Sequence, residues 1–73
     1  MLSAKQEAVL IITVVIEQSG NRIFRHDVAV NAPEDLALGV AEALRQFRVA
    51  FPTINLWDDG IVQRFMTREQ ADA

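Results

Sequence analysis

The sequence predicts a small α+β domain of plan β-β-α-β(-α), in which an antiparallel sheet of order 2-1-3 carries one main helix on one face. Three features predict it: a nearly unbroken apolar run at 8–17, an alternating segment at 22–30, and a helical apolar stripe that begins after residue 31. A length of 73 residues allows one domain with one small core. We expect its ordered part to cover about residues 8–69.

The first two elements read as a β-hairpin. The run AVLIITVVIE at 8–17 is rich in β-branched residues, which favour a strand, and Thr13 is its only polar residue before Glu17. The turn signal QSGN follows, and RIFRHDVAV at 22–30 then alternates between apolar and polar residues.

The pairing of these strands follows from their apolar faces, because a slip of one residue would move a strand's apolar set to the wrong face. With Ser19–Asn21 as the loop, Gln18 pairs with Arg22. The other predicted pairs are Leu10–Val30, Ile12–Val28, Val14–His26 and Ile16–Phe24. A two-residue loop would instead place apolar residues of strand 1 opposite Asp27 and Arg25, which disfavours it.

The main helix starts in the segment NAPEDLALGVAEALRQF. Asn31 and Glu34 have capping-box spacing, and Pro33 suits the first turn because its missing N–H costs nothing there. The apolar stripe consists of Leu36, Val40, Leu44, Phe47 and Phe51. Gly39 is either a weak point of the helix or a place of close backbone approach. Pro52 ends the helix at the preceding residue.

The rest of the chain is read as a strand and a second helix. TINLW at 53–57 predicts a short third strand, which a right-handed crossover places beside strand 1. Residues 61–69 run two apolar, two polar, and so predict a helix capped by Asp58 or Asp59. The alternative takes the Asp-Gly sequence as a hairpin turn into a fourth strand.

Strand 1 is apolar on both sides, although one helix covers only one face of the sheet. Val9, Ile11 and Val15 point away from the main helix, onto a face that would otherwise meet water. Three occupants could cover this face: the C-terminal helix, a second copy of the chain, or another protein. Replacing Val15 with Asp should therefore lower stability or change the oligomeric state.

Composition narrows the class of protein. A net charge of −3 and a sequence pI of about 4.9 disfavour nucleic acid as a partner. The apolar run is too short for a membrane-spanning helix, and Lys5, Glu7 and Glu17 fit a signal peptide poorly. We expect a cytoplasmic protein. A hydrophobic content of 51% without cysteines favours a homodimer, because so small a core has no disulfide to support it.

No combination of residues predicts catalysis. His26 is the one histidine and lies among apolar residues, and a metal site would need further ligands. Ser3 and Ser19 lie in the N-terminal segment and a turn, where no base activates them. Asp58 and Asp59 fit a helix cap or a solvated turn better than a cation loop. We therefore predict no enzyme, no cofactor and no metal.

The arginines offer an alternative function. Six of the seven basic residues are arginines, namely Arg22, Arg25, Arg45, Arg48, Arg64 and Arg68. On one continuous surface with a stacking aromatic such as Trp57 between them, they would suit a small nucleic-acid-associated regulator. Ordinary solvated faces, with acidic neighbours such as Glu42 and Glu69, explain them more simply.

The plan of a hairpin, one capped helix and a further strand, over residues 8–57, resembles small accessory proteins of phages and mobile elements. Some of these inhibit a larger host enzyme by docking on it, so the resemblance implies a non-catalytic protein-interaction module. We predict such a module, homodimeric, that docks on a larger protein partner. Its candidate contact residues are Val9, Ile11, Val15, Arg25, Trp57, Asp58 and Asp59.

Overall fold

The computed structural model describes residues 10–73, so the predicted contact residue Val9 lies outside the described residues. The elements are β1 (Leu10–Gln18), β2 (Asn21–Val30), α1 (Pro33–Ala50), β3 (Ile61–Thr67) and α2 (Arg68–Asp72). The three strands form an open antiparallel sheet of order β2-β1-β3 with one main helix. This confirms the predicted α+β class, the strand order and the central position of β1.

The register of the β1–β2 hairpin is as predicted along most of its length. The confirmed pairs are Leu10–Val30, Ile12–Val28, Val14–His26 and Ile16–Phe24. The predicted three-residue loop is wrong: Gln18 pairs with Asn21, and the turn consists of Ser19 and Gly20, both with positive φ. A β-bulge on β2 reconciles the two, because the extra residue Ile23 restores the pairing beyond the turn.

The bulge also changes which side chains of β2 reach the core. Strict alternation would place Ile23 on the face opposite to its neighbour Phe24. Both side chains instead pack against the core cluster. The unpaired residue lets the strand present two consecutive apolar side chains to one face.

The N-cap of helix α1 lies one residue later than predicted. Its N-cap is Ala32, and the Asp35 carboxylate accepts hydrogen bonds from the backbone N–H groups of Asn31 and Ala32, both at 3.0 Å. The predicted Asn31–Glu34 capping box is therefore wrong. Pro33 occupies the first helical position, where no N–H is needed, and this moves the capping pair along by one residue.

The helix packs mainly on β2 rather than across the whole sheet. Its fully buried Phe47 lies edge-on to Phe24, with ring centroids 5.4 Å apart, and stacks on Phe51 at 5.1 Å. Ala43 and Phe47 share the core with Val14, Ile16 and Val28. We call the side of the sheet that carries α1 the front face and the opposite side the back face.

The third strand lies later in the chain than predicted. Residues 53–57 form a loop of turns and irregular backbone, from which Ile54 and Leu56 pack against the core. Their alternation with Asn55 and Trp57 imitates a strand, because every second residue points inward without joining the sheet. The strand at 53–57 is therefore wrong.

Residues 61–67 form β3 instead of the predicted helix over 61–69, so the alternative of a turn into a strand is right. Gly60, with φ of 88°, turns the chain into β3. The two-apolar, two-polar order occurs because β3 is an edge strand with partly exposed residues on both faces. Helix α2 follows at Thr67, whose hydroxyl accepts a hydrogen bond from Gln70 N–H at 3.2 Å.

Candidate functional site

A polar network crosses the back face of the hairpin. Thr13, the polar residue inside the apolar run, is completely buried, and its hydroxyl donates to Asp27 Oδ1 at 2.8 Å. Arg25 Nε lies 3.3 Å from the same oxygen, and Arg25 Nη1 lies 2.6 Å from Asp72 Oδ1 in α2. The hydrogen bond from Thr13, together with Arg25, lowers the pKa of Asp27.

Helix α2 lies against this back face and contacts both β1 and β3. Arg22 Nη1 donates to the Ala71 carbonyl at 2.9 Å, and Arg25 Nη1 donates to the Asp72 carboxylate. Two side chains of β2 therefore bind the C-terminal end of α2. The side chain of Ala71 is buried. The helix over 61–69 that the sequence offered as a cover for this face is mostly strand β3, and the shorter helix α2 packs against the back face instead.

The predicted contact residues on the first two strands differ in their exposure. Val15 has no exposed surface, so it is not part of any surface that a partner could contact in this conformation. Ile11 lies on the back face beside Ala29 and is half-buried. Arg25 is exposed, and both Asp27 and Asp72 engage its guanidinium.

Among residues 10–73, Trp57 is the most exposed of the large apolar side chains, at 86%. It lies in the loop between α1 and β3, at the hairpin end of the sheet, where Ser19 N–H donates to the Gly60 carbonyl at 2.9 Å. The Asn55 side-chain oxygen accepts from Trp57 N–H at 2.9 Å, and the Asn55 carbonyl accepts from Asp58 N–H at 3.1 Å. The indole therefore projects from a hydrogen-bonded turn.

Asp58 and Asp59 directly follow Trp57 and are both exposed. Because residues 61–67 form a strand, neither aspartate caps a helix there. The Asp58 carbonyl accepts from Ile61 N–H at 3.2 Å, which closes the turn that enters β3. The structure thus brings Trp57, Asp58 and Asp59 together and separates them from the back-face residues.

A second surface lies on the front face, where α1 leaves β1 and β3 uncovered. An apolar groove of about 530 Å³ opens between the helix and β3. Its lining residues are Ile12, Leu36, Val40, Phe65, Met66, Thr67 and Gln70. Phe65 forms one wall with 51% of its surface exposed. The groove lies at the end of the sheet opposite to Trp57, because Ile12 pairs with Thr67 and Gln18 with Ile61.

His26 lies on the front face, half-buried, with its ring stacked on Phe24 at a centroid distance of 6.4 Å. Within residues 10–73, no three side chains of His, Asp or Glu gather in an arrangement that could hold a metal ion.

Three of the arginines, Arg22, Arg25 and Arg64, lie on the back face of the sheet, whereas Arg45 lies on α1. Arg45 bonds Glu42 along α1 at 2.7 Å, and Arg64 on β3 pairs with Glu17 at 3.0 Å. Arg22 and Arg25 bond groups of α2. Each of these four cations is thus engaged by a carboxylate or a carbonyl group within the described chain.

Neither described helix is both long and apolar enough to cross a membrane. Comparisons with protein families, with curated proteins and with solved structures gave no match to this chain.

The sequence prediction named Trp57 and its two aspartates but missed the groove and the edge formed by Phe65. Both depend on β3, which was assigned to a helix. A signal for the strand was present, because Asp59-Gly60 is a common hairpin turn sequence and the β-branched Ile61 and Val62 follow it.

Proposed function

We propose that this chain is a non-catalytic protein-interaction module, homodimeric, that docks on a larger protein through Trp57. The observation that carries the docking role is the exposure of Trp57 on an ordered turn. Tryptophan is usually well buried, and it is enriched among the residues that dominate binding energy at protein interfaces.

The turn is organised before any partner binds. Ile54 and Leu56 pack into the core on either side of Asn55, whose side chain fixes the backbone N–H of Trp57. A partner that takes up the indole does not have to order this loop. Binding therefore loses less conformational entropy than it would with a flexible loop.

Charge indicates the chemistry of the partner. Asp58 and Asp59 are exposed beside the indole, and the chain as a whole carries a net charge of −3. The complementary surface is an apolar pocket with basic residues at its rim. A larger enzyme with such a pocket would fit the accessory proteins of phages and mobile elements that the plan of the fold resembles.

The test uses a partner identified by photo-crosslinking from position 57 and then purified. We expect Trp57→Ala to weaken its binding at least 30-fold while the free energy of unfolding stays within about 0.5 kcal/mol of the parent. Leu38→Ala is the matched control, because Leu38 is 69% exposed on α1 and should bind like the parent. Equal affinity of Trp57→Ala and the parent would overturn the proposal.

The role of the two aspartates can be measured separately from that of Trp57. Replacing both Asp58 and Asp59 with Asn should slow association and reduce its dependence on salt, because exposed charges at an interface rim act mainly on the association rate. An unchanged association rate at low salt would contradict a basic rim on the partner.

A further inference from the structure

The outer edge of β3 presents main-chain groups that no other strand of the described sheet can reach. Along an antiparallel strand these groups point alternately to the two sides. The Gly60 carbonyl faces β1, since it accepts from Ser19 N–H. Alternation therefore directs the groups of Val62, Arg64 and Met66 toward β1, and those of Gln63 and Phe65 outward.

Two hydrogen bonds agree with this assignment. Ile61 N–H donates to the Asp58 carbonyl at 3.2 Å, and Thr67 N–H donates to Gln70 Oε1 at 3.0 Å, so neither donates to β1. The open part of the edge is thus centred on Gln63 and Phe65, whose N–H and C=O groups both point away from the sheet.

The two outer edges of the sheet differ in their protection. Strand β2 carries Arg22, Arg25 and Asp27 along its length, and charged side chains discourage the addition of another strand. Strand β3 carries one charged residue, Arg64, between the partly exposed apolar residues Val62 and Phe65. The edge of β3 is the one suited to pairing.

We propose that a second copy of the chain pairs with this edge, antiparallel, about a two-fold axis at Gln63. Gln63 then faces Gln63 of the second copy, and Ile61 faces Phe65 of the second copy on the front face. This deepens the dimeric part of the proposed function by naming its surface. The product is one six-stranded sheet with β3 of both copies at its centre.

Two neighbouring registers are less favourable. An axis at Arg64 would set two arginines directly opposite each other, and like charges in that position are destabilising. An axis at Phe65 would place Arg68 and Glu69, which belong to α2, opposite the strand residues Val62 and Ile61 of the second copy. The axis at Gln63 avoids both conflicts and joins apolar side chains twice.

Charge is compatible with the same register, which places Arg64 opposite the uncharged Val62 of the second copy. The guanidinium of Arg64 pairs at 3.0 Å with Glu17 of its own chain, which lies on β1 and therefore on the inner side of β3. The positive charge of Arg64 is thus balanced within each copy, and the two Arg64 side chains do not oppose each other across the axis.

The first test is the molecular mass in solution by light scattering over a range of concentrations. We expect a dimer for the parent chain and a monomer for Phe65→Lys, whose lysine would disrupt the apolar pair with Ile61. The control is Val49→Lys on the exposed side of α1, which should remain dimeric. A monomeric parent, or a dimeric Phe65→Lys, would overturn the proposal.

The second test locates the axis and does not depend on a destabilising change. The chain has no cysteine, so Gln63→Cys, Arg64→Cys and Phe65→Cys each introduce a single thiol. Directly opposed Cα atoms on the axis lie about 5.5 Å apart, within disulfide range. The Cα atoms of the two Arg64 residues are diagonal neighbours about 7–8 Å apart, and those of the two Phe65 residues lie farther apart still. Gln63→Cys should oxidise fastest to a covalent dimer, and faster oxidation at either other position would overturn the register.

This dimer and the docking through Trp57 fail independently. Trp57 lies in the loop before β3 and outside the paired edge, so Trp57→Ala should remain a dimer. If Trp57→Ala loses partner binding and remains a dimer, that result agrees with both proposals. A parent chain that is monomeric but still binds its partner would overturn only the dimer.

Discussion

Gly39 of α1 lies directly against Val28 of β2. A Cβ atom at position 39 would overlap the Val28 Cγ1 methyl group and would stand 3.1 Å from Val28 Cβ. The missing side chain lets the helix backbone settle onto the sheet at this point. The alternative of close backbone approach, which the sequence left open for Gly39, is the one that the structure shows.

Gly39→Ala should therefore destabilise the fold, although helix propensity alone predicts a gain of about 1 kcal/mol. Overpacking against Val28 opposes that gain, and we expect a net loss of about 1–3 kcal/mol in urea denaturation. Adding Val28→Ala to the Gly39→Ala variant should recover part of the loss in a double-mutant cycle. A more stable Gly39→Ala protein would show that the contact is loose.

The pKa of Asp27 should rise when its buried hydrogen bond is removed. In the folded chain that pKa lies below its ordinary value of about 3.9, mainly because Thr13 donates to the carboxylate. Thr13→Val should raise it in an NMR titration of the carboxyl carbons. The pKa of Glu42, which Gln46 and Arg45 lower on the outer side of α1, should not move and serves as an internal reference.

The same shift predicts how stability depends on pH. A carboxyl group with a lowered folded pKa stabilises the fold above its unfolded pKa, and this contribution is lost as the pH falls through the folded value. Stability should therefore fall below about pH 4. The fall should be shallower in Thr13→Val, measured by urea denaturation between pH 2 and pH 6. Parallel curves for the parent and the variant would contradict a role for this hydrogen bond.

The hairpin turn should gain stability from Ser19→Asn. Ser19 has φ of 52° and Gly20 has φ of 86°, a pair of positive angles for which Asn-Gly is the preferred sequence. We expect the unfolding free energy to rise by a few tenths of a kcal/mol. Gly20→Ala is the counterpart: no atom lies within 4 Å of the added methyl group, so its expected loss of about 1–2 kcal/mol reports backbone strain alone.

Val15→Asp should unfold the chain or destabilise it by about 3–5 kcal/mol, because it places an unpaired charge at a fully buried position on the back face. Val62→Asp is the matched control on the same face, where Val62 is 40% exposed and pairs with Glu17, so that the repulsion between the two carboxylates costs no more than about 1 kcal/mol. It should change the free energy of unfolding much less in guanidinium denaturation. Equal losses of unfolding free energy at the two positions would mean that the back face is not covered at Val15.

Removing residues 68–73 tests whether α2 protects the back face of the sheet. Without α2, the sheet loses the helix that packs against β1 and β3, and Arg22 and Arg25 lose their partners in it. The truncated chain should be less stable and should bind more of a dye that senses apolar surface. Glu69→Ala, an exposed change within α2, should behave like the parent chain.

Local pattern was enough for β1, β2 and α1. A strand with one face against a core must keep its apolar residues on that face, and the register followed from this, even though the turn is one residue shorter than predicted. The helix end was equally local, because Pro52 excludes helical backbone at Phe51.

Only the tertiary structure decided where β3 and α2 lie and what each covers. An edge strand that is partly exposed on both faces has no clear period of two, so residues 61–67 resembled a helix. Residues 53–57 alternated because a loop packs every second side chain on the core. Whether Val15 is covered depends on contacts between parts of the chain far apart in sequence, such as Arg25 and Asp72. Local preferences carry no information on such contacts.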